Sequence, residues 1–159
     1  MNCNLAANLK SMNKSILLIG YGNDLRSDDG VGQKIAHTVQ HWNVPHLTTL
    51  SVHQLTPELA ASLAEVDFAI FVDANYQETS EVKVDKIEMN HNIMTSTHYS
   101  DPQSLLSLAE NLYHHHPETW LVKIPAVNFE IGENLSSVTE NAMNDALEEI
   151  DFLIRKCTK

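Results

Sequence analysis

Apolar runs of two kinds alternate along the chain, and their order gives the architecture. A short run at residues 15–19 (SILLI) precedes a helical pattern over residues 30–41, where Val31, Ile35 and Val39 recur every four positions with Ala36 beside them. Asn43-Val44-Pro45 ends that helix, and residues 48–52, rich in β-branched side chains, read as a second strand. Thr56-Pro57-Glu58 has the form of a helix start: Thr56 at the N-cap, Pro57 in the first turn and Glu58 complementing the dipole, with helix to about Ala64. Residues 68–72 (FAIFV) are continuously apolar and end at Asp73, as expected of a central strand buried on both faces.

The second half continues the alternation. Residues 81–87 alternate Val82 and Val84 with polar positions, too soon after the preceding strand for a crossover helix. That strand is therefore expected to run antiparallel to its predecessor. Residues 90–100 are polar loop, and Asp101-Pro102 caps a helix whose Leu105, Leu106, Leu108, Ala109 and Leu112 share one side. Residues 120–124 form the last strand, and residues 126–135 form a loop containing Gly132. Ser137-Val138-Thr139-Glu140 has capping-box form and opens a final helix with Met143, Leu147, Ile150 and Ile154 as its stripe. The order β-α-β-α-β-β-α-β-α predicts an α/β fold: one three-layer domain over residues 15–157, a five-stranded, mostly parallel sheet with helices on both faces and one antiparallel strand. Residues 1–14 are polar, lack the apolar core of a secretory signal, and read as a loose extension.

Composition narrows the function classes. Against 10 Lys and Arg stand 21 Asp and Glu, a net charge of −11, which argues against a nucleic-acid surface. No apolar run approaches the length of a membrane span. The two cysteines, Cys3 and Cys157, lie near opposite ends without CxxC spacing, so a reducing, cytoplasmic compartment is expected; a disulfide between them remains open. No association stripe is visible, so a monomer is expected.

Chemistry concentrates at the carboxyl ends of the strands, where open α/β sheets bind ligands. The turn Gly20-Tyr21-Gly22-Asn23-Asp24-Leu25-Arg26-Ser27-Asp28-Asp29-Gly30-Val31-Gly32 joins the first strand to the first helix. Its adjacent carboxylates suit a cation better than a phosphate, or simply a capped helix. Asp73 ends the third strand, and His98 lies in the loop before the Asp101-capped helix. Two carboxylates and an imidazole on one edge make an O,O,N donor set fit for nickel, zinc, manganese or iron. Each also has a plain alternative: a helix cap for Asp28 or Asp29, a backbone tie for Asp73, a solvated loop position for His98.

Other signals are weaker. Leu25 stands where a dinucleotide fingerprint needs its third glycine, and no GxxxxGK[ST], HExxH or GxSxG occurs. His114-His115-His116 fits a solvated helix C-terminus, Cys157 has no activating neighbour, and residues 125–132 are placed to line the site with Glu130 at the surface.

Taken together these segments resemble the nickel-iron hydrogenase maturation endopeptidases. The opening turn from Gly20 through Asn23, Leu25, Arg26, Asp28-Asp29-Gly30 and Gly32 is similar to that family's first motif; Phe71-Val72-Asp73-Ala74 to its second; Thr97-His98 to its third; and Phe129-Glu130-Ile131-Gly132 with Leu135-Ser136 fits its tail. The likeness spans residues 15–156. His53-Gln54-Leu55-Thr56-Pro57-Glu58-Leu59 further resembles the branch serving cytoplasmic bidirectional hydrogenases. The resemblance implies an endopeptidase that clips the C-terminal peptide from the hydrogenase large-subunit precursor once nickel is in place. It puts the metal-contacting groups on Asp29, Asp73 and His98, with Asp28 orienting Asp29 or contributing backbone geometry, and nickel carried by the precursor. Two other readings stay open from the residues: a non-catalytic nickel-handling module, and a nucleotide-binding domain using Gly20 to Gly22.

Overall fold

Five strands pair into one sheet in the order β2-β1-β3-β5-β4: β1 Ile16–Tyr21, β2 Leu47–Val52, β3 Phe68–Tyr76, β4 Lys83–Ile87 and β5 Glu118–Ala126. Among the described residues four helices, α1 Val31–Gln40, α2 Leu59–Ala64, α3 Pro102–Tyr113 and α4 Ser137–Cys157, connect or flank them, with a short 3₁₀ turn at Ser27–Gly30. This computed structural model describes residues 14–76, 79–91 and 100–159.

Alternation along the central strands sends side chains to two separate cores. Ile16 and Leu18 of β1, Phe68, Ile70 and Val72 of β3, and Trp120, Val122 and Ile124 of β5 pack under α1 and α4. Leu17, Ile19, Ala69 and Phe71 point the other way, under α2 and α3 with Leu55. The period of two within each strand thus splits one sheet into the two inner faces of an α/β/α sandwich. Phe68 through Val72 are all buried, as their unbroken apolar run requires.

The three-layer, mostly parallel sheet with one antiparallel strand follows the sequence pattern, but several details differ. β4 does run opposite to β3, yet it pairs with β5, Val84 facing Val122, and β5 lies between them. The reason is burial: β3 needs partners along both edges, whereas β4, with exposed Lys83, Asp85 and Lys86, suits the rim of a sheet. Asp73 does not end its strand. Pairing with β5 continues through Tyr76, while pairing with β1 stops at Gly20–Val72, so Asp73 sits where its β1 neighbour has left. Thr56 does not cap α2, which begins at Leu59; the Thr56 hydroxyl bonds the Glu58 carboxylate instead. Asp101 caps α3, accepting from the Ser104 N–H at 2.9 Å and the Ser104 hydroxyl at 2.8 Å. Leu112, on the expected apolar side, is exposed because α3 outruns the core. The cap of α4 is Ser136, which accepts from Thr139 N–H, rather than Ser137. Along α4 the most deeply buried positions are Ala142, Ala146, Ile150, Leu153 and Ile154, with Met143 and Leu147 half-buried at their side.

Cys157 is buried and free, its thiol pushed up to about 11, chiefly by burial and then by Glu118; Cys3 lies outside the described residues. Among the described residues no helix is long and apolar enough to cross a membrane.

The first turn of α1 lies directly on the sheet. A Cβ on Gly32 would fall 2.5 Å from the Val72 carbonyl oxygen and 2.7 Å from that of Tyr21. Gly32→Ala should therefore lift α1 off β1 and β3 and lower stability by about 1–3 kcal/mol, read from the urea midpoint.

Candidate active site

β1 leaves the sheet through Gly22, whose φ of +138° is open to glycine and strained for other residues. A Cβ there would fall 2.0 Å from the Asp29 carbonyl oxygen, so Gly22 also lets the 3₁₀ turn close onto the strand end. The Asn23 N–H then donates to Asp29 Oδ2 at 2.7 Å, fixing one oxygen of a half-buried carboxylate. Behind this turn Gln33 spans two elements. Its Nε2 donates to the Gly22 carbonyl at 2.6 Å and its Oε1 accepts from the Ser51 hydroxyl at 3.0 Å, tying α1 to the ends of β1 and β2.

Asp73 meets this turn from β3. By alternation it projects toward the α2–α3 face, on the same side as Phe71. Its carboxyl is pushed up to about 6, first by burial and further by the Asp29 charge; the nearby Tyr21 hydroxyl and the Ala74 N–H work in the opposite direction. Tyr21 is itself raised, by burial and then by Asp73 and Asp101. Its ring is steadied edge-on against Phe71, with centroids 6.4 Å apart. Asp29 and Asp73 thus share one electrostatic neighbourhood at the carboxyl ends of β1 and β3.

Asp28 has a different task from its neighbour. It is fully buried and does not cap either helix. Its Oδ2 accepts from Val127 N–H and Asn128 N–H, both at 2.9 Å, and from the Ser136 hydroxyl at 2.8 Å; its Oδ1 accepts from Ser136 N–H at 2.7 Å. Burial opposes ionisation here, but the bonds from Ser136, Val127 and Asn128 outweigh it and hold the carboxyl below its ordinary range. Further bonds stitch the turn to residues 126–136: Ser27 N–H to the Gly132 carbonyl at 2.8 Å, Gly132 N–H to the Leu25 carbonyl at 2.9 Å, and the Ser27 hydroxyl to the Glu130 carbonyl at 2.8 Å.

The structure therefore brings Asp29 and Asp73 together and assigns Asp28 to the scaffold. His98 lies outside the described residues, and among those described no three His, Cys, Asp or Glu side chains form a metal-holding group. Glu130 is exposed, as expected. The histidine run stands at the C-terminal end of α3, with His114 and His115 exposed as expected, while His115 Nε2 lies 2.9 Å from the Val66 carbonyl oxygen and His116 Nδ1 2.8 Å from Glu110 Oε2. Tyr21 and Gln33 were not singled out by sequence. Tyr21 is one position past the last β1–β3 pair, as Asp73 is, and only the strand register reveals that match.

The same bonds argue against a phosphate cradle. The turn amides of Asn23, Leu25, Arg26, Ser27, Asp28 and Asp29 all donate within the chain, leaving none of these six to a nucleotide.

Two acids with opposite displacements give opposite pH signatures. The raised folded value of Asp73 favours the fold below about pH 3.8 and penalises it as pH rises through about 6. Asp73→Asn should thus stabilise the metal-free chain by about 2–3 kcal/mol at neutral to alkaline pH and by little near the unfolded carboxylate value, in urea titrations at both. Asp28, being lowered, stabilises above its unfolded value and loses that contribution as pH falls through its folded one. Asp28→Ala strands buried N–H donors and should cost about 3 kcal/mol or more at neutral pH, with the difference shrinking in acid.

No family model and no curated protein sequence matches the chain. Solved structures do. The hydrogenase maturating endopeptidase HybD from E. coli superposes with a TM-score of 0.70 at 22% identity, over 89% of this chain and 93% of that one. The [NiFe] hydrogenase maturation protease HybD from Thermococcus kodakarensis gives 0.71 at 21% identity, over 87% and 98%. The [NiFe] hydrogenase maturation protease HycI from Thermococcus kodakarensis KOD1 gives 0.66 at 19%, over 97% and 98%. At such identities it is the path of the backbone that matches, over nearly the whole of each chain: this chain has the fold of the hydrogenase maturation endopeptidases.

Proposed function

We propose that the chain is an endopeptidase that removes the C-terminal peptide from the nickel-loaded large-subunit precursor of a nickel-iron hydrogenase. The observation that carries this reading is the pairing of Asp29 and Asp73 at the carboxyl edge of a sheet whose fold is that of proteases named for this reaction. Two carboxylates that repel one another are relieved by a cation between them. Here the cation is part of the substrate: nickel already seated in the precursor. Asp29 keeps one oxygen committed to Asn23 N–H, which leaves Oδ1 for the metal.

His98 is the third ligand in this reading. Support comes from the start of α3: the Asp101 charge is felt at Tyr21, beside Asp73, and His98 is three residues upstream, a chain reach of about 10 Å. With the precursor gripped through its nickel, the scissile carbonyl is held in register. A carboxylate at this edge accepts a proton from the water that attacks the scissile carbonyl and returns it to the amine released as the C–N bond breaks. Precursor without nickel lacks the third party that the carboxylates hold, and is left uncut. In this reading the enzyme works as a monomer in a reducing, cytoplasmic compartment, and the free thiol of Cys157 is in keeping with that compartment.

Intact-mass spectrometry of precursor incubated with the chain tests this. Nickel-loaded precursor should lose its C-terminal peptide and unloaded precursor should not. Asp29→Asn, Asp73→Asn and His98→Ala should each slow cleavage by about a hundredfold or more while the fold persists by circular dichroism. Binding of loaded precursor without any shortening would identify a nickel-handling module instead.

A further inference from the structure

Eight large apolar side chains are left exposed among the described residues, and half of them gather beside the acids: Leu25 at 58%, Tyr76 at 72%, Val127 at 48% and Ile131 at 88% exposure. They come from three separate segments, and the hydrogen bonds show that those segments adjoin. Tyr76 belongs to the last β3–β5 pair, facing Ala126, and Val127 follows Ala126 and donates its N–H to Asp28. Ile131 precedes Gly132, whose N–H bonds the Leu25 carbonyl, and Arg26 bridges Gly132 in parallel. The segments that carry these exposed apolar side chains therefore adjoin one another around the turn that carries Asp29. Isolated surface apolar groups are ordinary, but a contiguous set on one edge marks an interaction surface.

We propose that this rim is the docking surface for the C-terminal segment of the precursor, bound extended, with apolar side chains interspersed with basic ones. The inference rests on the endopeptidase reading and adds to it what the substrate must look like. The chemistry of the occupant follows from charge. Exposed Asp24, Glu130 and Glu133 lie among the apolar positions, with Arg26 the one basic residue of these segments, and the whole chain carries −11. A second copy of the chain would bring the same acidic rim against this one, so a basic, apolar peptide is the complementary partner. Rigidity points the same way. The Asp28 carboxylate and the backbone bonds around Gly132 hold Leu25, Val127 and Ile131 in place before anything binds, so little ordering cost falls on association.

The test is the full chain carrying Leu25→Ser and Ile131→Ser together. Both side chains are exposed, so the unfolding midpoint should not move; that is checked first. With purified nickel-loaded precursor, KM for cleavage should rise about tenfold or more, the scale of an apolar anchor at an interface, while kcat changes less than about twofold. Calorimetry with nickel-free precursor, which is left uncut and so reads binding without turnover, should show the same loss of affinity, and Glu133→Lys should weaken binding to it as well. Unchanged KM and affinity in the double variant overturn the rim while leaving the endopeptidase standing. Rim-dependent binding with no cleavage leaves the rim standing and removes the endopeptidase. Concentration-dependent dimers of the parent chain that the double variant abolishes assign the rim to self-association and overturn the proposal, as does a parent chain that binds no precursor.

Discussion

The buried carboxylate of Asp28 organises the end of the molecule where the chemistry is placed. It sits at the junction of a 3₁₀ turn and a loop that returns from the far side of the sheet about a hundred residues later. Four donors converge on its two oxygens, three of them backbone N–H groups that would otherwise be buried without partners. Burying a charge is costly, and only such saturation makes it favourable. One result is that the loop after β5, which has no regular structure of its own, is fixed against the turn after β1. Another is that the N-terminus of α4 is anchored, because Ser136 both donates to Asp28 and caps that helix.

Asp29 inherits its position from this arrangement. A 3₁₀ turn has about three residues per revolution, so adjacent side chains leave in directions about 120° apart. With Asp28 turned inward to the β5–α4 loop, Asp29 is turned toward the strand ends. There it meets Asp73, which stands at the point where β3 has outrun β1. The sheet order makes this the topological switch point: the chain leaves β1 for β2 on one side and returns to β3 on the other. The helices that make those connections, α1 and α2, lie on opposite faces of the sheet.

That placement has an energetic cost that the rest of the fold carries. Asp73 is half-buried beside another carboxylate and a tyrosine, and its ionised form is disfavoured. The two apolar cores, each filled from alternate positions of the same strands, supply the stability against which such a site persists. The scaffold around the two acids, from Gly22 to Gln33, is locked by hydrogen bonds.

Much of this was legible in the sequence because it is encoded locally. Spacing of four in Val31, Ile35 and Val39 specifies α1 whatever it packs on; the unbroken apolar run from Phe68 to Val72 can only be a central strand; Asp101-Pro102 carries its own cap. Carboxylates following apolar strands in an α/β order collect on one edge, so the adjacent pair Asp28 and Asp29, together with Asp73, could be named from the chain as candidates. Tertiary structure alone decided the rest. Which strand β4 joins depends on how β3 fills both its edges, which no local period records. Leu112 follows the apolar stripe yet lies beyond the reach of the core. Tyr21 enters the site only through the β1–β3 register. Asp28 and Asp29 are the same residue type side by side, and nothing local separates them; one became a buried tie and the other a candidate ligand because a loop about a hundred positions away presents its N–H groups to one of them and not to the other.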